Sequence, residues 1–498
     1  MFSSSNVGLA VVTLILGTFG LVVFKGLYNY WFHPLAKFPG PWYAAISNFS
    51  YCLSFLGGRH PYNILELHKK YGPVVRIAPN ELSFNSAQSW KDIYDFNGPG
   101  KRALIKSNFY EGGTFADQCG SIVSERDPDK HGRMRRFLSN AFSQRSLIEQ
   151  ESIISVVVDG FVDKMVVSAK KGAVIDLTEW FNMATFDIIG ELAFGESFRG
   201  IETGDVHPWI ARITGAMKQG ALADTFKRFP MAAKVAMLFL SKAIDSIKLD
   251  CKLNEVYALD LVKERASRQS DRKDFLTRIL EQRDDTISDV QIAAHSADFV
   301  TAGSETTATA LSCITYYLSK NKTVLEKLQQ EIRTSFDSYD AIDSASTASL
   351  KYLNAVCQEG MRIYAPLPFA LPRVVSDQGN VVDGHFLPPG VIVSTNPIAA
   401  SLDPANFKDP LDFIPERWIE HNGHDVYEAS QPFSTGPRGC LGRSLGWMEM
   451  RTILAKVHYT FDLVLADPSL DWHEESRMCT LWQKPALPMR IQLRAGQS

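Results

Sequence analysis

The residues best suited to chemistry lie together in Phe433-Ser434-Thr435-Gly436-Pro437-Arg438-Gly439-Cys440-Leu441-Gly442. One cysteine is set among glycines, with an aromatic seven residues before it and a cation two before. The run 443–456 that follows reads as an amphipathic helix. A thiol at a helix entrance sits near the positive end of the dipole, which favours the thiolate, the form that binds metal. Gly436, Gly439 and Gly442 let the backbone turn sharply and approach something flat and bulky. Arg438 is suited to gripping a carboxylate. Thiolate, flat partner and carboxylate together describe haem b, ligated through Cys440 with Arg438 on a propionate.

Blander readings exist for each part. A lone buried cysteine is usually a small hydrophobe, a Gly-Pro-Arg-Gly turn suits many loops, and no second cysteine stands at the C-x-x-C spacing that zinc prefers. The full pattern Phe-x-x-Gly-x-Arg-x-Cys-x-Gly is far more restrictive. It resembles the haem-binding loop of the cytochrome P-450 superfamily, the haem-thiolate monooxygenases, with Phe433, Gly436, Arg438 and the ligand Cys440 at matching positions.

Bulk properties agree. A hydrophobic content of 45% supports a large packed core, and a net charge of −3 argues against nucleic-acid binding. Seven cysteines, odd in number and without paired spacing, suit a reducing compartment and no disulfide framework.

The elements that must position the loop can be taken in order. Residues 1–24 carry no charged side chain and 7–24 is almost wholly apolar. Eighteen helical residues span ~27 Å, near the ~30 Å hydrocarbon core. A cleaved signal peptide normally has a positive n-region, absent here. Lys25 and Lys37 follow the segment, so the positive-inside rule puts the bulk of the protein in the cytosol. The expectation is a single-pass anchor over 1–32, with a transmembrane helix at about 7–24, in the endoplasmic reticulum membrane. His33–Pro41 then stiffens the exit and is similar to the proline-rich hinge of microsomal members of the family.

Residues 61–71 read as helix and 74–84 as a hairpin turning at Pro79-Asn80. Residues 97–124 are glycine-containing and aperiodic, hence a loop. Its Phe109, Tyr110 and Phe115 match the family's substrate-covering loop by resemblance, and are equally compatible with ordinary packing. His131–Ser143 is a basic helix, which taken alone is a solvated cationic face. The family usually has Trp-x-x-x-Arg there, both side chains on haem propionates. Arg135 matches the arginine, and His131 stands in place of tryptophan, where its N–H can still donate to a carboxylate. Residues 185–198 form an apolar-faced helix ending near Gly195, worded like filamentous-fungal members.

A very long helix is expected from Ser288, a good N-cap, to about Lys320. Its apolar middle carries Gly303 and then Glu305-Thr306-Thr307, which is odd because buried polar groups cost stability unless bonded. Glycine beside hydroxyl residues predicts a local bulge. A helix with one wet face is the plain alternative. The wording Ala302-Gly303-x-Glu305-Thr306-Thr307 resembles the family's oxygen-activating helix, which implies catalytic roles for Thr306, holding water at the dioxygen site, and Glu305, feeding protons from solvent. Glu359-Gly-Met-Arg362 is a common kind of helical pair and carries little by itself. With Phe413-Ile-Pro-Glu-Arg417-Trp it resembles the family's structural ion cluster of Glu359, Arg362 and Arg417. Arg373 matches a further propionate-binding arginine, and 366–372 and the turn at Leu481-Trp482 match pocket-facing segments.

The resemblance covers about 33–495. It implies a mainly helical fold with a smaller β region in one catalytic domain, 33–498. Electrons come from NADPH through a separate reductase, since no dinucleotide or flavin fingerprint follows a strand. Implied partners are that NADPH–cytochrome reductase, O2, membrane lipid and a lipophilic substrate. The candidate lining is Phe109, Tyr110, Phe115, Phe299, Val300, Leu367, Phe369, Leu371, Leu481 and Trp482. The expected reaction is hydroxylation or epoxidation of a terpenoid, polyketide or alkaloid in fungal secondary metabolism, in wording close to trichothecene-type hydroxylases. Alternatives are a sterol or fatty-acid oxidase, or a haem-thiolate isomerase or dehydratase needing no reductase. A non-catalytic haem carrier is disfavoured by Glu305-Thr306, because storage needs no proton relay.

Overall fold

The computed structural model describes residues 4–95, 104–111, 114–239, 241–268, 272–284, 287–421 and 423–494. Parts of the expected 97–124 loop, 97–103 and 112–113, fall outside these. The fold is mainly helical with a smaller β region, and its centre is the helix Asp289–Lys320. Ser288 caps that helix, its Oγ accepting from the Gln291 N–H at 3.2 Å. Gly303 permits close packing onto the apolar helix Leu177–Ala193, because a Cβ there would come within 3.0 Å of the Ile189 side chain.

The bulge expected near Gly303 is absent, since the helix is continuous from Asp289 to Lys320. The hydroxyls close to Gly303 are satisfied without opening the ladder. Ser304, Thr306 and Thr309 each donate to the carbonyl four residues back, at 2.6 Å. Thr185 of the neighbouring helix adds a bond to the Ser304 carbonyl at 3.0 Å.

The expected hairpin forms, Val74–Ala78 antiparallel to Glu81–Phe84. It lies in a five-stranded sheet that continues through Ile392–Thr395 and Arg373–Val374 to Ile105–Lys106. The last two strands pair so that Lys106 stands directly opposite Arg373. Like charges in that register repel, so this sheet edge disfavours protonation of Lys106 beside Arg373. Behind the central helix, Arg443–Thr460 carries the cysteine loop at its start and packs its buried face, including Met450, Ile453 and Leu454, into the same core.

The N-terminal helix runs Ser4–Trp31 and so includes 7–24. The side chains of 4–11, 14 and 15 are outside those described, and among the described residues no helix is long and apolar enough to cross a membrane. The transmembrane helix expected at 7–24 falls partly on those undescribed residues, and no such span is found among the described ones.

Candidate active site

A cavity of about 330 Å³ lies between the central helix and the cysteine loop. The loop is shaped by Gly436 at φ 70°, where a Cβ would collide with the Tyr94 carbonyl, so only glycine lets it lie against the Tyr94–Asp95 backbone. The Cys440 N–H donates to the Phe433 carbonyl at 2.8 Å, closing the loop. Cys440 lines the cavity and is accessible from it, while protein encloses it on a wider scale. Burial pushes the thiol up, and the Gly442 N–H, Arg135 and Arg443 only partly pull it back. A cation bound by the sulfur would deprotonate it outright.

One end of the cavity is crowded with basic side chains. Arg438, Arg373, Arg135, Lys106 and His131 all line it. Arg438 donates to the carbonyls of Glu125 and Arg126 at 2.7 and 2.8 Å, and Arg135 to that of Gly439 at 2.6 Å. Burial, with the neighbouring cations, holds Arg438 down to about 10, Lys106 to about 6 and His131 to about 3. Such a cluster is unfavourable unless an anion joins it. A flat dicarboxylate presenting a metal to Cys440 fits this donor set. Lys106 was missed in the sequence because no motif surrounds it; its partner across the sheet becomes visible only in the fold.

On the opposite wall are Phe299, Ala302, Gly303, Thr306 and Thr307, with Tyr110, Leu367, Phe369 and Leu371 to the side. Five of the ten expected lining residues do not line it. Val300 is wholly buried in the core. Phe109 stands behind Phe369, ring centres 4.5 Å apart. Trp482 stacks on Tyr364 at 4.4 Å and donates to the Ala365 carbonyl. Leu481 sits beside it in the Leu481–Gln483 strand, and Phe115 in the Thr114–Phe115 strand of a small hairpin. Asp298, Ile122, Val123 and Phe142 line it instead.

Glu305 is also outside the cavity lining. Its carboxylate pairs with buried Lys484 at 2.7 Å, and Lys484 further bonds Asn182 and Thr309. Thr307 bonds the buried Glu449, whose carboxyl burial pushes up to about 8. Glu359, Arg362 and Arg417 come together in one buried cluster. Arg362 grips Glu359 through Nε and Nη2 at 2.8 Å each, and Arg417 adds a third bond at 3.2 Å.

The family model for cytochrome P450 matches residues 39–488, nearly the whole chain. The chain belongs to the cytochrome P450 family. It is 54% identical over 89% of its length, and 92% of the relative's, to cytochrome P450 monooxygenase ORF11 of Penicillium roqueforti. It is 42% identical to cytochrome P450 monooxygenase BipB of Cochliobolus sativus, over 94% of each chain. Against cytochrome P450 monooxygenase aclL of Aspergillus oryzae the identity is 38%, over 97% and 98%. As a P450 it is an oxidoreductase that incorporates oxygen, using haem iron with a thiolate ligand and electrons delivered from NAD(P)H by a reductase.

Proposed function

We propose that this P450 inserts one oxygen atom from O2 into a lipophilic small molecule of fungal secondary metabolism, a terpenoid, polyketide or alkaloid-like skeleton. The observation that carries the reading is the facing of Cys440 and Thr306 across one largely apolar cavity whose basic side chains gather at one end. The fungal monooxygenases among its relatives support it.

Cys440 would ligate the haem iron, and Arg438, Arg373, Arg135, His131 and Lys106 would hold its propionates. When bound, thiolate-ligated haem supplies dioxygen activation, because the thiolate pushes electron density that favours O–O cleavage. The remaining work belongs to the chain. The apolar walls at Phe299, Leu367, Phe369 and Leu371 exclude water and press an apolar substrate toward the centre. Thr306 keeps its hydroxyl on the cavity side, bonded to the Ala302 carbonyl, where Oγ1 can hold a water or pass a proton. Glu305 can supply protons to Thr306 only when its carboxylate leaves Lys484 or reaches through water. Glu359, Arg362 and Arg417 lock the core around the loop.

We place 33–498 on the cytosolic face of the endoplasmic reticulum membrane. Exposed apolar residues support the contact: Phe19, Leu21 and Phe24 on the N-terminal helix, and Met231, Leu238 and Phe239 on Pro230–Phe239. The exposed Arg133, Arg136 and Arg443, beside the cysteine loop, suit an acidic reductase surface.

The test compares metabolites of a strain lacking this gene with its parent, then feeds the accumulated precursor to purified protein, reductase and NADPH under ¹⁸O2. One ¹⁸O atom in an NADPH-dependent product is expected. Conversion without NADPH, leaving no ¹⁸O in the product, would make the chain an isomerase or dehydratase.

A further inference from the structure

Among the described residues that line the cavity, Asp298 has the sole carboxyl group. It stands on the same stripe of the central helix as Ala302 and Thr306, four and eight residues on, and all three line the cavity. Its Oδ2 accepts from the Val123 N–H at 3.1 Å, and the Ser121 hydroxyl also donates to it. A carboxylate offers about four lone-pair sites, so these bonds leave acceptor capacity over. The surrounding wall cannot use it, because Phe299, Ile122 and Val123 contribute only apolar side chains. The cations that need an anion are already grouped at the Arg438–Arg373 end, although Lys106 lies close enough to pull the carboxyl down against the burial that holds it up at about 6.

We propose that Asp298 anchors the substrate by accepting a hydrogen bond from a hydroxyl or amine on an otherwise apolar skeleton. The inference rests on the monooxygenase reading above and names its substrate class. The helix rises ~1.5 Å per residue, so Asp298 and Thr306 are about 12 Å apart along the axis. A rigid skeleton anchored at Asp298 and oxidised opposite Thr306 therefore carries its donor group on the order of 10 Å from the attacked carbon. A substrate of this kind already bears oxygen or nitrogen. The step that supplies it is an earlier hydroxylation, a cyclisation that captures water, or an amine-forming reaction.

The test uses the haem-loaded full-length protein and needs no turnover. Rigid terpene triplets are titrated as alcohol, methyl ether and hydrocarbon, cedrol, cedryl methyl ether and cedrane being one, and Kd is read from the Soret shift and by calorimetry. In the wild type the alcohol should bind roughly tenfold tighter than its ether in at least one triplet, the size of one hydrogen bond to a charged acceptor. Asp298→Ala should remove that preference and leave the hydrocarbon Kd within about twofold. Asp298→Asn, which keeps an acceptor oxygen, should retain part of it. Equal binding of alcohol and ether in every triplet overturns the proposal, and this comparison needs no variant. A preference that survives Asp298→Ala overturns it too, as does a uniform loss of affinity across a triplet, which would mark Asp298 as only a tether for Val123. A protein showing the carbon-monoxide band of a thiolate-ligated haem but no alcohol preference contradicts this inference alone; a wild type without that band contradicts the proposed function as well.

Discussion

Removing the Glu359 carboxylate should be among the most damaging single changes outside the cavity. Five N–H donors converge on it: two from Arg362, one from Arg417 at 3.2 Å, the Ile414 backbone at 2.9 Å and the Trp418 indole at 2.8 Å. Glu359 and Arg362 are both fully buried, and Arg417 nearly so. The consequences for the two arginines differ. Arg417 keeps Asp425 as a partner at 2.5 Å, whereas Arg362 would retain only the carbonyls of Ser401, Pro410 and Asp412. An uncompensated buried charge of that kind costs about 3–5 kcal/mol. Each 1.4 kcal/mol is about tenfold, so Glu359→Ala should lower the folding equilibrium by roughly two to four decades. That is a large share of the ~5–15 kcal/mol available to a typical domain. Glu359→Gln keeps the volume but turns an amide N–H₂ toward the arginines, for about 2–3 kcal/mol. Both variants should show lower urea midpoints by circular dichroism and a smaller haem-loaded fraction, Ala more than Gln. A Gln variant with wild-type midpoint and haem content would refute the structural role given to the cluster.

Thr306→Ala should leave the spectrum and substrate binding nearly unchanged while product per NADPH falls and hydrogen peroxide rises, because a methyl cannot pass the proton that a hydroxyl can. Unchanged coupling would remove Thr306 from the mechanism. Deleting residues 1–31 should shift the protein from the membrane pellet to the soluble fraction with haem retained; persistence in the pellet would transfer the membrane contact to surfaces such as Pro230–Phe239. Lys106, held down to about 6 by burial and by Arg438 and Arg373, is mostly neutral near pH 7.5 without an anion. A carboxylate brought beside it raises its pKa, so haem loading should take up protons in that range, measurable by calorimetry in buffers of different ionisation enthalpy. Lys106→Met should reduce the uptake, and proton release on loading would contradict the placement.

What could be read from the sequence was local. The Cys440 loop, the Ser288 cap and the Pro79-Asn80 turn each depend on residues within a dozen positions, so their chemistry is written contiguously. The ion cluster was legible because its two halves carry recognisable wording. What escaped depends on where distant segments meet. Lys484 reaches Glu305 across 179 positions, and Lys106 acquires Arg373 as a neighbour only through strand pairing. The apolar type of Val300 and Trp482 suited a pocket equally well as a core, and helix phase and stacking on Tyr364 decided for the core. The bulge failed to form because back-bonded hydroxyls met their needs within an intact helix.

The central claim is that Cys440 ligates the haem, and the reduced carbon-monoxide spectrum of Cys440→Ser tests it most directly. A serine hydroxyl is far harder to ionise than a thiol and donates poorly to iron, so the long-wavelength Soret band and all turnover should be lost. A mutant that keeps that band would contradict the account, since another cysteine would then hold the iron.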